Sequence, residues 1–281
     1  MKKLIAAAVT AAFVAPVYAA DITLSGSQEF NWQDNNGTSS SEVDGTVKVS
    51  ASSELPNGMS VSATIALDEA GSADGGTNLT FGGDFGSVAL GDVSSAIDSI
   101  DDVTDPSLEA GHGTDGTDAN VLWSLPSMVP GLSVYVSASA QSQEGAGQDA
   151  EAEASGVAIK YAAGAFSVGY GTQDNDDGTS HSIVNGTFST NGITVAVESF
   201  TDTSAASVDT DTDAVGVQYA MGDITLFVEN VEVSSAGSTS EDLTAMGVHY
   251  SMGDVTFFAE TKDDAKSDSV ETTYFGASYK F

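Results

Sequence analysis

Three glutamates recur at one spacing toward the C-terminal end of this 281-residue chain: Glu198, Glu229 and Glu260, each 31 residues after the one before. A second acidic set crowds residues 92–118, which read DVSSAIDSIDDVTDPSLEAGHGTDGTD. Its carboxylates are Asp92, Asp98, Asp101, Asp102, Asp105, Glu109, Asp115 and Asp118. Carboxylates in such numbers can transfer protons, ligate calcium, or set up a field that draws cations.

Catalysis finds little support. The chain has three histidines, His112, His181 and His249. Ser180 and Ser182 flank His181, but neighbours along a strand point to opposite faces and cannot share a proton. No phosphate loop or nucleophile elbow occurs, so the reading is not an enzyme. Calcium has partial matches. DNDDG (174–178) and DTDTD (209–213) space oxygens as calcium loops do, without the full twelve-residue pattern. The crowded Asp98, Asp101, Asp102 and Asp105 are the better calcium ligands, since they otherwise repel. No motif requires a cofactor.

The charge balance favours the field. Seven lysines and no arginine stand against 41 acidic residues. Neutralising phosphates needs Lys and Arg, so nucleic acid is excluded as a partner. The chain has no Cys, which removes thiolate ligation and disulfide staples.

The elements that carry these groups are strands. GVQYAMGDITLFVE (216–229) returns as GVHYSMGDVTFFAE (247–260). Alternation of period two on both sides of a tight Gly-Asp marks a β-hairpin. Looser copies turn at Gly164 and at Asn191-Gly192, so turn glycines 164, 192, 222 and 253 fall at a nearly constant period. Between the hairpins lie polar segments unlike one another: TQDNDDGTSH, TDTSAASVDTDTD, VSSAGSTSEDL and KDDAKSDSVE. Tight turns at one end and long acidic loops at the other predict an all-β, antiparallel up-and-down barrel of about sixteen strands. These begin near Ile22, Val43, Met59, Thr77, Ser87, Asn120, Leu132, Ala152, Phe166, Ser180, Ile193, Ala214, Ile224, Leu243, Val255 and Val270.

One face of each strand is apolar and the other small or polar, as in Val61, Ala63, Ile65 and Leu67 against Ser60, Ser62 and Thr64. A soluble sandwich shares that pattern. Against it, Lys48 and Lys160 interrupt the polar face at mid-strand. The aromatics Phe85, Tyr161, Phe166, Phe188, Tyr219 and Tyr250 recur on the apolar face close to the tight turns, like the interfacial girdle of a transmembrane barrel. The start agrees with export. Lys2 and Lys3 precede an apolar run and the small-residue site Val17-Tyr18-Ala19, which predicts a signal peptide over 1–19 and a barrel domain over 20–281.

Parity then places the charges. Glu198, Glu229 and Glu260 share the polar, luminal face, about 12 Å above the short-turn rim at ~3.3 Å per residue and a tilt near 45°. They form an expected carboxylate ladder on the pore wall, with Lys48, Lys160 and His249 as further pore-lining residues. Lys262 and Lys280 share the luminal parity. Acidic rings select cations.

Three stretches carry a family resemblance. ADITLSGSQEFNW (20–32), FGGDFGSVALGDVSSAID (81–98) and the terminal Tyr279-Lys280-Phe281 resemble the first strand, the approach to the third loop, and the closing strand of Gram-negative general porins of the alphaproteobacterial kind. The resemblance implies a multi-pass barrel in the bacterial outer membrane that passes small hydrophilic solutes. It implies a homotrimer in outer-membrane lipid. It also implies that 92–118 is an inward-folded third loop forming the constriction, with Asp92, Asp98, Asp101, Asp102, Asp105 and Glu109, and that Tyr279 and Phe281 are the signal read by the assembly machinery. The family's arginine cluster facing that loop is missing here, so the lumen is expected to favour cations. The competing expectation is an exported acidic adhesin or calcium-dependent scaffold that transports nothing.

Overall fold

In the computed structural model the described residues are 20–68, 71, 76–101, 103–111, 116, 118–139, 153–236, 238–266 and 271–281. The expected signal peptide lies outside them, as do Asp102, His112 and Asp115. Sixteen strands follow in chain order. The first eight are β1 Asp21–Asn35, β2 Thr38–Glu54, β3 Ser60–Asp68, β4 Asn78–Gly83, β5 Gly86–Val93, β6 Ala119–Ser124, β7 Leu132–Ser139 and β8 Ala154–Ala163. The remainder are β9 Phe166–Asn175, β10 Ser180–Thr190, β11 Ile193–Thr203, β12 Asp209–Met221, β13 Ile224–Ser235, β14 Ser238–Met252, β15 Val255–Asp264 and β16 Thr272–Lys280. Each pairs antiparallel with its neighbours in sequence, and β1 pairs with β16 to close a barrel. Closure leaves no unpaired edge, the condition for crossing a lipid phase with strands.

The alternation decides the faces. Val47, Val49, Ile65, Val157, Ile159, Val195, Val217 and Val248 all lie exposed on the outside. So do the predicted girdle residues Phe85, Tyr161, Phe166, Phe188, Tyr219 and Tyr250. A soluble sandwich would bury this face, so the outside is built to meet lipid. The interior face carries Glu198, Glu229 and Glu260, as the period of two requires.

At the short-turn rim, Gly222 and Gly253 adopt φ near +62°, a left-handed conformation that costs glycine nothing. The opposite rim departs from expectation. Strands β2, β12 and β14 start about five residues before the expected Val43, Ala214 and Leu243, and β1 joins β2 through Asn36-Gly37 alone. The connections after β9 and β11 shorten to 176–179 and 204–208. The acidic segments continue the ladder because their side chains pair across strands. Thr201 and Thr203 donate hydroxyl bonds to Asp211 and Asp209 at 2.8 and 2.9 Å. Thr239 likewise donates to Glu232 at 2.7 Å.

Candidate functional site

A trough on the inner wall positions the third loop, residues 94–118. On β8, β9, β11, β12 and β14 the luminal positions are small: Ala158, Gly169, Gly171, Ala196, Gly216 and Ala245. The loop enters it at once. Ala96 donates its N–H to Ser137 Oγ on β7 at 2.9 Å, and Ile97–Ser99 forms a single 3₁₀ turn. Ile97 and Ile100 are fully buried with Ala96, Ala158, Ile183 and Phe200, and Tyr135 packs against this cluster. This apolar core therefore lies inside the barrel, between loop and wall, as does a smaller one of Ala110, Phe227 and Ala245. Glycine is required where the backbones touch: a Cβ on Gly216 would sit 2.3 Å from the Thr104 carbonyl oxygen.

The loop continues past the three glutamates. Glu198 Oε2 accepts the Val103 N–H at 3.4 Å and the Asn185 amide at 3.3 Å, and Asn185 also donates to the Ile100 carbonyl at 2.6 Å. Glu260 accepts three consecutive loop N–H groups, from Leu108, Glu109 and Ala110, at 2.8–2.9 Å. His249 Nε2 lies 2.6 Å from the same carboxylate. Glu229, between them on β13, is 1% exposed. These residues share the expected face, but they do not form a ladder open to water. Glu198 is 5% and Glu260 1% exposed, because the loop lies on them. His249, also expected on the open wall, is buried beside Glu260 and Phe227.

The other expected residues divide. Asp92 lies within β5, one residue before its end, rather than starting the loop, and its Oδ2 accepts the Gly76 N–H at 3.2 Å. Asp98 ties the loop's root, accepting the N–H of Ser95 at 2.8 Å and of Gly116 at 2.6 Å. Asp105 accepts the N–H and hydroxyl of Ser107. Asp98 and Asp105 thus use their oxygens on loop donors instead of converging with Asp101. Among the described residues no three His, Asp or Glu side chains are arranged to hold a metal. Lys262 donates to the Gly111 carbonyl at 3.1 Å, which places it with the loop. Lys48 faces the lumen from β2 and Lys160 from β8. At the long-loop rim, His181 Nδ1 lies 3.8 Å from Asp202 and Nε2 lies 3.4 Å from the Asn175 amide. Ser180 and Ser182, its sequence neighbours, take the opposite parity.

A group the sequence reading passed over completes the site. Glu29 and Asn31 on β1 stand directly across from Asp44 and Glu42 on β2. The loop's Glu109 reaches this square, and the five residues line one cavity. Burial first, then the hydrogen bond and charge of Glu29, push the Glu109 carboxyl up to about 8. Parity alone could have found these groups, since Gln28 and Phe30 flank Glu29 on the outer face.

Phe281 closes the ring. Its backbone exchanges hydrogen bonds with Gly26 of β1 at 2.9 and 3.0 Å, its ring covers Gly26, and it stacks with Tyr279.

The sequence profile of the Gram-negative porin family matches residues 6–281. No curated protein matches the sequence significantly. Among solved structures, a loop L8 deletion mutant of OmpT, an outer membrane protein of Vibrio cholerae, aligns with TM-score 0.75 at 16% identity, over 94% of this chain and 100% of that one. An anion-selective porin from Comamonas acidovorans aligns at 0.72 and 15%, over 93% and 100%. A multiple mutant of the Rh. blastica porin aligns at 0.69 and 17%, over 93% and 100%. A closed sixteen-strand barrel with an apolar exterior and an inward-folded third loop is the porin arrangement, and this chain belongs to the Gram-negative porin family of outer-membrane β-barrel channels.

Proposed function

We propose that this porin passes small hydrophilic solutes passively and favours cations, and that it works as a homotrimer without enzymatic activity. A sixteen-strand barrel is too wide for side chains to fill and holds water. Fold leaves the sign of selectivity open, since the similar Comamonas barrel is described as anion-selective. Charge must then decide it. The observation that carries the reading is the acidic group of Glu29, Glu42 and Asp44 on the luminal side of β1 and β2, in a chain with no arginine and an overall charge of −34. Rings of carboxylates lower the barrier for cations and raise it for anions. Glu198 and Glu260 of the repeat hold the loop in the same interior. Ala63 and Ala138, which face outward, suit close contact between barrels.

The test is planar-bilayer conductance of detergent-extracted protein under a KCl gradient. A reversal potential toward the potassium limit supports the reading. A potential near zero or toward the chloride limit removes cation preference and leaves a general pore. Protein that is soluble without detergent and conducts nothing would return the adhesin or scaffold.

A further inference from the structure

We infer that the luminal cavity formed by Glu29, Asn31, Glu42, Asp44 and Glu109 is a binding subsite for a compact organic cation, a single guanidinium or primary ammonium group; the inference rests on the cation-favouring pore proposed above. The cavity lies between the β1–β2 wall and the third loop and measures about 150 Å³. At ~30 Å³ per water that is room for about five waters or one small polar head.

The wall side of the cavity, Glu29, Glu42 and Asp44, offers carboxylate oxygens, which accept when ionised and cannot donate, while Glu109 spends its proton on Glu29. Glu29 opposes Asp44 as a direct cross-strand partner, which places like charges side by side at a cost, and Asn31 opposes Glu42. Among the described residues none of these carboxylates has an ion pair with a basic side chain. The second observation is independent of charge. Asn31 is 8% exposed, and its side-chain oxygen has no hydrogen-bond donor among the described residues. A buried amide oxygen without a donor costs stability unless something fills the place. Asn31 and the acids line the same space, so one occupant that donates several hydrogen bonds and carries positive charge would satisfy both.

The geometry narrows the chemical class. A bare divalent ion needs six to eight oxygens converging at ~2.3–2.6 Å. Here the acceptors are spread over two strands and a loop, and no three acidic side chains meet at a point. Guanidinium, with its fork of five N–H donors, or an ammonium with three, reaches separated acceptors. Glu42 and Asp44 are exposed to the lumen, which leaves an entry from the solute path. One of Asp44's oxygens already accepts the Gly45 N–H at 2.7 Å, so its other oxygen serves the cavity.

The experiment is single-channel recording of the full-length protein in planar bilayers, in KCl with added guanidinium chloride or methylammonium chloride. The expected result is concentration-dependent, voltage-dependent block. Its half-block concentration should rise at least tenfold in Asn31→Leu, which removes the amide acceptor and no charge, and in Glu42→Gln. Glu54→Gln, which removes a luminal-face charge near the opposite end of β2, should keep the wild-type block. Absence of block in the wild type overturns the subsite. Equal weakening in all three variants shows a diffuse field and also overturns it. Block by calcium chloride but not by guanidinium replaces it with a metal site. If block is present and lost in Asn31→Leu while the KCl reversal potential shows no cation preference, the subsite stands and the selectivity reading falls. Urea-resistant, heat-modifiable mobility on gels confirms that each variant is folded.

Discussion

Glu260 and His249 face each other across adjacent strands with 2.6 Å between Oε1 and Nε2, and the same carboxylate holds three loop N–H groups some 150 residues earlier in the chain. This is the tightest tie between loop and wall. Hydrogen bonds to a charged group contribute about 1.5–3 kcal/mol each when made, and buried donors left without a partner cost comparable amounts. Glu260→Ala strands three donors at once. Loop docking should weaken by about 3 kcal/mol or more, with larger and noisier single-channel conductance and a lower Tm. Glu260→Gln keeps an acceptor oxygen and should show a smaller change. A Glu260→Ala channel with wild-type conductance and noise would mean the loop is held elsewhere.

The trough offers a steric test. At Gly216 a methyl group would meet the Thr104 carbonyl at 2.3 Å, backbone against backbone, with no flexible side chain to yield. Gly216→Ala should displace the loop toward the lumen axis and reduce conductance severalfold. Gly186→Ala, on the outer face of the next strand but one, meets its nearest backbone oxygen at an ordinary 3.5 Å and should leave conductance unchanged.

Acidity in the loop predicts a pH dependence. The groups facing Glu109 are Glu29 and Glu42 from the β1–β2 wall, Glu260 from β15 and Tyr274 from β16, with Lys262 held at the nearby Gly111 carbonyl. Burial and the Glu29 contact move Glu109 from 4.5 to about 8. The docked loop therefore keeps a proton that a released loop loses. Its stabilisation is complete below about 4.5 and declines as pH rises through about 8. Above that pH the ionised carboxyl adds charge to the lumen. Cation preference should rise between pH 7 and 9, and loop fluctuation with it, while Glu109→Gln should flatten both profiles. An identical pH profile in that variant would assign the titration to another group.

Closure at the C-terminus should be sensitive to one glycine. Gly26 exchanges two backbone hydrogen bonds with Phe281, and the Phe281 ring lies 2.7 Å from where a Gly26 Cβ would stand. Gly26→Val should push the ring off the seam and cut the yield of heat-modifiable barrel in refolding assays. Removing Phe281 should lower that yield as well, by leaving the Gly26 N–H and carbonyl unpaired in the barrel seam. Normal yields from both variants would show that β1 and β16 close without this contact.

Calcium should not be needed for the fold. Asp98 and Asp105 are satisfied by N–H and hydroxyl donors of the loop itself. A chelator is expected to leave the Tm unchanged, and a drop of several degrees in a thermal melt would point to a bound ion.

Much of the barrel was legible because strand alternation is a local property. Val61, Ala63, Ile65 and Leu67 announce an outer face without reference to any other strand, and Gly222 and Gly253 announce turns. The acidic rim was less legible. Asp209 and Asp211 are poor strand formers alone, and the hydroxyls of Thr203 and Thr201 across the ladder help to keep them extended. Asn36-Gly37 is a strong two-residue hairpin signal, yet its acidic and polar surroundings favoured a long loop.

The sequence by itself determined the strands, their count, their inward and outward faces and the acidity of the lumen, since each follows from residue type and a period of two. Only the tertiary structure decided what the charges touch. Luminal Glu260 could equally have met water; it meets Leu108–Ala110 because the small residues of the trough leave a channel in the wall wide enough for a backbone. Glu29 and Glu42, unremarkable in the sequence, became neighbours of Glu109 when the loop crossed the barrel to reach them. Contacts between residues 80–150 positions apart depend on how the whole ring closes, and no local pattern carries that information.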